Sequence, residues 1–301
     1  MNDAMPPAEP IPFRVLLDDA MKRTRRHFKT VYPAVAIPIA LAMVGMVTFQ
    51  MTWIASWTGS VRTSVPFNPA TCLGVIVGAV LSMVIMSVAT AALIAAAVDA
   101  VSEKPVDMKV EWGFILRGAS LATLTLQGLA VLAGMICLLF PGIWIFLMLS
   151  FVVPVMAAED LRGGDALKRS WALVRYNPHH RFLEHTAVKV FLLYFVAGLI
   201  SYAVSSLVQL PFTVARGVLT ARDVAAGRAR DPQLMMSAYL WLQLPSVLLG
   251  SLVSTAVSVY SSFGLALLYF DVRRRKEGTD LQAAIGARFG AEPTPPATSP
   301  A

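Results

Sequence analysis

Charge is what this sequence has least of. Asp, Glu, Lys and Arg make up 14% of its 301 residues, against about a quarter in an average soluble domain. So few charges cannot coat a water-soluble core of this size, which excludes a soluble globular enzyme. Cysteine is scarcer still. Cys72 and Cys137 are the only two, which excludes a disulfide-built secreted scaffold, and both read as small packing residues toward the ends of apolar runs. Several motifs are missing: a zincin His-Glu-x-x-His, a phosphate-cradling glycine loop and a Gly-x-Ser-x-Gly elbow. The middle of every apolar run also lacks ionisable residues, which argues against proton coupling and against a hydrolase buried in the membrane.

What is present in quantity is apolar. Hydrophobic residues make up 56% of the chain and mean hydropathy is +0.65, which excludes global disorder and indicates a multi-pass membrane protein. The runs predict an all-α helical bundle with about six transmembrane helices at 31–54, 72–98, 119–140, 142–158, 186–210 and 246–270. Pro141-Gly142 reads as the turn between the third and fourth. Gln243 and Pro245 divide the last apolar block, making 234–244 an interfacial segment. Pro38, Pro154 and Pro245 are expected to kink their helices. Residues 13–281 form one membrane domain, between disordered tails at 1–12 and 282–301.

Six spans place both termini on one side. That side receives twenty Lys and Arg, with Lys189 counted to it, and the other receives five: Arg62, Arg216, Arg222, Arg228 and Arg230. The positive-inside rule then puts both termini in the cytoplasm. Arginine-rich sequence followed by a long apolar run reads as a signal anchor rather than a cleaved leader. Anchoring arginines also account for the net charge of +7, and no nucleic-acid-reading module is visible, so nucleic acid is not an expected partner.

Flanking the spans are amphipathic stretches. Phe13, Leu16, Leu17, Ala20, Thr24 and Phe28 fall at helical spacing, with Lys22, Arg23, Arg25 and Arg26 on the remaining face, as in a helix lying among anionic headgroups. Leu167, Trp171 and Val174 repeat the design beside Lys168 and Arg169, with Asp165 as the expected cap. Asp19-Ala20-Met21-Lys22-Arg23-Thr24 matches Asp165-Ala166-Leu167-Lys168-Arg169-Ser170, and a weaker counterpart holds Met108, Trp112 and Ile115. The pattern suggests three units, each a surface helix followed by two spans.

Other candidates are less specific. His179, His180, Glu184 and His185 resemble a ligand cluster, but neighbouring arginines repel a cation, so they read as headgroup-level polar residues and no metal or cofactor is expected. Gly74 and Gly78 permit close helix approach. Ser251, Ser254, Ser258 and Ser261 form a stripe that serves helix packing or, alternatively, a polar path.

Two segments carry a resemblance. One runs from Pro141-Gly142-Ile143-Trp144 through Pro154 to Glu159-Asp160 and on through Gly164-Asp165 to Trp171 and Val174. The other is Tyr269-Phe270-Asp271-Val272-Arg273-Arg274-Arg275-Lys276-Glu277-Gly278. Together they resemble the bacterial membrane domain named for its fusion to glycerophosphoryl diester phosphodiesterases. That resemblance implies a six-span domain of the inner membrane; the hydrolytic barrel of fused members has no room here. It also places Arg273 and Arg274 at the cytoplasmic end of the last span, with Glu277-Gly278 closing the helix. The reading that follows is a non-enzymatic scaffold or accessory subunit, its surface residues Lys22, Arg23, Lys168, Arg169, Trp171, Arg273 and Arg274 contacting lipid headgroups, a protein partner or a second copy. The alternative is a lipid or small-solute transporter or channel without proton coupling.

Overall fold

Inside hydrocarbon a helix satisfies every backbone N–H and C=O from within its own segment, so each long apolar run of this chain is helical. The computed structural model describes residues 12–63, 69–175, 185–226 and 232–289. Among the described residues there is no strand. The helices are α1 (Phe13–Thr63), α2 (Pro69–Val101), α3 (Met108–Ile115), α4 (Gly118–Cys137), α5 (Leu139–Met148), α6 (Val152–Glu159), α7 (Gly164–Val174), α8 (Thr186–Ala225) and α9 (Pro232–Phe289). Six segments of the described residues are long and apolar enough to cross a bilayer: Phe13–Met51, Ile76–Val101, Gly118–Ile136, Leu139–Glu159, Thr186–Ala225 and Leu242–Glu277. The protein is an all-α, multi-pass membrane protein.

The helices pair into hairpins in chain order, α1 with α2, α4 with α5 and α8 with α9, while α6 packs on α2 and α7. The short α3 and α7 precede the second and third hairpins, so the element order follows the threefold plan. The first unit departs from it. Residues 13–28 are not a separate surface helix but the opening turns of α1, continuous with the first span. Neither Gly nor Pro occurs between Phe13 and Tyr32 to interrupt it. The first turns of its apolar face pack on protein, since Leu16 and Ala20 are buried in the core.

Three contacts fix the register. Tyr32 Oη donates to the Leu252 carbonyl at 3.2 Å, His27 stacks on Phe263 with centroids 6.1 Å apart, and Arg23 Nη1 donates to the Ala100 carbonyl at the end of α2 at 3.3 Å. The late part of α9 therefore lies against the basic stretch of α1. Here the core is densest, built from Leu93 and Val98 of α2, Phe151 at the cap of α6 and Met156 within it, Leu193 of α8, and Phe263 and Tyr269 of α9. Toward the opposite ends of the hairpins the described side chains include many that are bare. Leu73 and Val80 of α2, Phe140 of α5 and Leu207 of α8 are all exposed. Hydrocarbon exerts no hydrophobic force between apolar helices, so those ends need no protein cover.

Prolines and glycines act differently from their sequence reading. The chain turns at Leu138, the residue between α4 and α5, while Pro141 and Gly142 lie in the first turn of α5. There the missing proline N–H has no intrahelical acceptor to lose. Gly142 serves instead for close approach, because a Cβ on it would stand 2.7 Å from the Met135 backbone nitrogen. Pro154 falls in the first turn of α6. Residues 234–244 are not a separate interfacial segment, since α9 is continuous through Gln243 and Pro245. Nor does α9 stop at Glu277-Gly278; it continues to Phe289. Asp165 is not the cap of α7. That position belongs to Gly163, at φ 63°, a backbone conformation that favours glycine, and Asp165 sits in the first turn, where its charge complements the helix dipole.

The α4–α5 approach is testable. Gly142→Ala is expected to lower stability by about 1–3 kcal/mol, as overpacking does. Gly128→Ala, in open space, is expected to be neutral. Unfolding in mixed detergent micelles measures both, and an equal effect of the two would refute the close approach.

Candidate functional site

A carboxylate at a helix end attracts whatever cations the fold brings near it. Glu159 is the last residue of α6, and its side chain is 12% exposed. Arg169 of α7 grips it from two nitrogens, Nε to Oε2 at 2.9 Å and Nη2 to Oε1 at 3.3 Å. Tyr269 of α9 donates its hydroxyl to Oε1 at 2.7 Å, and Arg273 Nε stands 3.8 Å from the same oxygen. Arg273 also donates to Glu277 Oε2 at 2.8 Å, and Glu277 pairs in turn with Arg169. Two carboxylates and two guanidinium groups thus form a charge-balanced knot joining α6, α7 and α9. Beside it Lys276 Nζ donates to the Ala172 carbonyl at 2.6 Å, tying α9 to α7 once more. The two stretches that carry the family resemblance meet at this knot, 110 residues apart in sequence.

The fourth span is broken between α5 and α6, and the break has its own partners. Ser170 of α7, fully buried, donates to the Met148 carbonyl at 2.8 Å and accepts from the Phe151 N–H at 3.2 Å. Gln127 of α4 donates to the Leu149 carbonyl at 3.1 Å. Thr123 accepts from the Gly163 N–H at 2.7 Å, holding the start of α7 against α4. Backbone groups that leave a helical ladder at this depth need such partners.

A second acidic site lies at α3. Glu111 is 4% exposed and shares the buried face with Met108 and Ile115. Burial foremost, then the hydrogen bond to Asp99 and that residue's charge, push its carboxyl up from 4.5 to about 8. Asp99 is itself 3.6 Å from Lys104. Setting Trp112 against Trp171 places Glu111 opposite Ser170 in the repeat, both buried; Thr24, which matches Ser170 in the first unit, is buried as well. Sequence reasoning passed over Glu111, although an acid on the apolar stripe of α3 is itself a signal.

Of the expected contact residues, Arg169 and Arg273 are not free for headgroups. Both are drawn into the knot, because partly buried carboxylates lie within reach. Arg23 reaches Ala100, while Lys22 is exposed, 3.8 Å from Asp19. Lys168 and Arg274 are exposed, as is Trp171. Gly78 faces the Phe49 ring, whereas Gly74 has nothing near it. The serine stripe turns inward on its own helix: Ser251 donates to Leu248 O, Ser254 to Ser251 O, Ser258 to Ser254 O and Ser261 to Ser258 O. Of the histidine cluster only His185 is among the described residues, buried at the start of α8. His179, His180 and Glu184 lie outside them, as do the side chains of Cys72 and Cys137.

Two outcomes are expected. Between 4.5 and about 8 the folded protein holds the Glu111 proton that an unfolded chain releases. This contribution is therefore full below 4.5 and is lost as pH rises toward 8. Glu111→Gln keeps a neutral hydrogen-bonding group and should flatten that pH dependence of the melting temperature; the same slope in both proteins would contradict the assignment. Ser170→Ala should cost about 1–3 kcal/mol by stranding two backbone groups, while Ser254→Ala stays within about 0.5 kcal/mol. Detergent unfolding compares them, and equal losses would refute the bridging role. Comparison of this chain with protein-family models, with curated proteins and with solved structures finds no match.

Proposed function

We propose that this protein is a non-enzymatic scaffold or accessory subunit of a bacterial inner membrane, with both termini in the cytoplasm. Its basic side would present a docking surface to a partner protein or a second copy. One observation carries the reading. At the knot the charged groups of Glu159, Arg169, Arg273 and Glu277 are consumed in holding helices together, leaving these groups committed to structure rather than to proton transfer. On the same short helix Trp171 is 41% exposed, one turn from the exposed Lys168. An exposed aromatic residue beside a cation, on a helix that the knot holds in place, is the composition of an interface anchor.

The transport alternative drew on the serine stripe as a polar path. With those hydroxyls donated to carbonyls of α9 itself, the stripe offers less to a solute, which favours the scaffold reading. The inner-membrane assignment draws on the resemblance, and the orientation on the distribution of Lys and Arg.

Native mass spectrometry of the protein released from its own membrane in mild detergent tests the proposal. The expected result is a stoichiometric second protein or second copy. Trp171→Ala should weaken it by about thirtyfold, the loss typical of an anchoring aromatic, and Lys168→Glu should weaken it further, with melting unchanged in both. A wild-type chain that carries only lipid would overturn the scaffold reading.

A further inference from the structure

A second feature of the basic side lies on a different face of α1. Between α1, α8 and α9 is a cleft of about 500 Å³, walled by Phe28, Ile200, Ala256 and Val257, with Arg25 and Lys29 at its rim. We infer that this cleft binds one acidic phospholipid, its phosphate held between Arg25 and Lys29 and an acyl chain lying along Phe28, Ile200 and Val257.

Position comes first. Arg25 and Lys29 are one helical turn apart, so their side chains are neighbours. The apolar run of α1 begins directly beyond them at Val31, which sets the two cations at headgroup level. Charge comes second. Both cations are exposed, and among the described residues neither has an ion-pair partner and no acidic side chain lines the cleft. On the opposite flank of α1 the pattern is different. There Lys22 faces Asp19 at 3.8 Å and Lys104 faces Asp99 at 3.6 Å, so those cations are already matched.

The third observation is an orphaned hydroxyl. Thr24 lines the cleft and is 6% exposed, yet its Oγ1 has no hydrogen-bond partner. Thr90, Thr123 and Thr125 each donate to the carbonyl four residues earlier in their own helix; Thr24 does not. A buried hydroxyl without a partner is costly, and a turn of the Thr24 side chain about χ1 would let it donate to a phosphate or ester oxygen of a seated lipid. Apolar walls distinguish a lipid from free phosphate, because acyl chains cover Ile200 and Val257 and an inorganic anion leaves them bare. Two unmatched cations select an acidic lipid, since a zwitterionic headgroup brings its own ammonium against them.

The experiment reconstitutes the full chain into nanodiscs of equal phosphatidylglycerol and phosphatidylcholine, then counts the lipids retained on release by native mass spectrometry. The wild type is expected to keep one phosphatidylglycerol. Arg25→Gln with Lys29→Gln should lower the retained ratio of phosphatidylglycerol to phosphatidylcholine by about thirtyfold, as loss of two cations at a membrane surface implies. Arg14→Gln with Lys109→Gln, the same change of charge outside the cleft, should leave it unaltered. Val257→Trp, which fills the cleft, should abolish retention of either lipid while melting stays cooperative. Equal retention of the two lipids by the wild type would overturn the inference. So would an equal fall in both double variants, or undiminished phosphatidylglycerol on Val257→Trp. If the first double variant does not fold, Arg25→Lys with Lys29→Arg must retain the lipid, and its loss there counts against the site. The cleft shares no residue with the Trp171 surface, so losing a lipid and losing a protein partner are separate results.

Discussion

Hydrocarbon imposes no cost on an exposed leucine, whereas water does, and the architecture follows from where each medium ends. Within the bilayer, apolar helix faces gain nothing hydrophobic by meeting, and the hairpins leave Leu73, Phe140 and Leu207 uncovered. At the basic side α1 starts ahead of its apolar run, and there Leu16 is buried against protein, as are Phe263 and Tyr269 of the last span. The dense core therefore sits at one end of the bundle, and the extension of α1 beyond its span is part of that core.

Burial alone does not specify which helices meet. At the basic end the choice rests on a small number of polar contacts whose partners have few alternatives. Glu159 is largely enclosed, and Arg169, Tyr269 and Arg273 supply its contacts from two other helices. Removing one member of such a knot leaves the remaining charges partly buried and unmatched, which costs more than the knot contributes when whole. Ser170 acts similarly without charge. It closes a broken span from a helix that does not belong to that span, so the fourth span depends on α7 being seated.

The repeat is consistent with this economy of contacts. In each unit a buried polar residue occupies the matching helical position, Thr24, Glu111 or Ser170, and its chemistry differs from unit to unit. Ser170 bridges a helix break, Glu111 holds a proton against Asp99, and Thr24 stands beside an amphipathic cleft. The three positions thus serve three different local uses.

Membrane class, helical content and the approximate apolar runs were legible because each depends on composition and on distances along one chain. The amphipathic helices were legible for the same reason, through their 3.6-residue period. Arg169 and Arg273 were read as headgroup anchors because a sequence shows a cation's charge but not its neighbours, and Glu159 lies 110 residues from Tyr269. The turn at Leu138 and the long continuous α1 and α9 were missed for a related reason: proline and glycine are judged locally, while their tolerance depends on helix position and on what packs beside them. By itself the sequence determined that the chain enters hydrocarbon, and where, since transfer from water is a property of each segment alone. Only the tertiary structure decided which charges are spent on one another and which remain at the surface, since pairing is a property of distance in space.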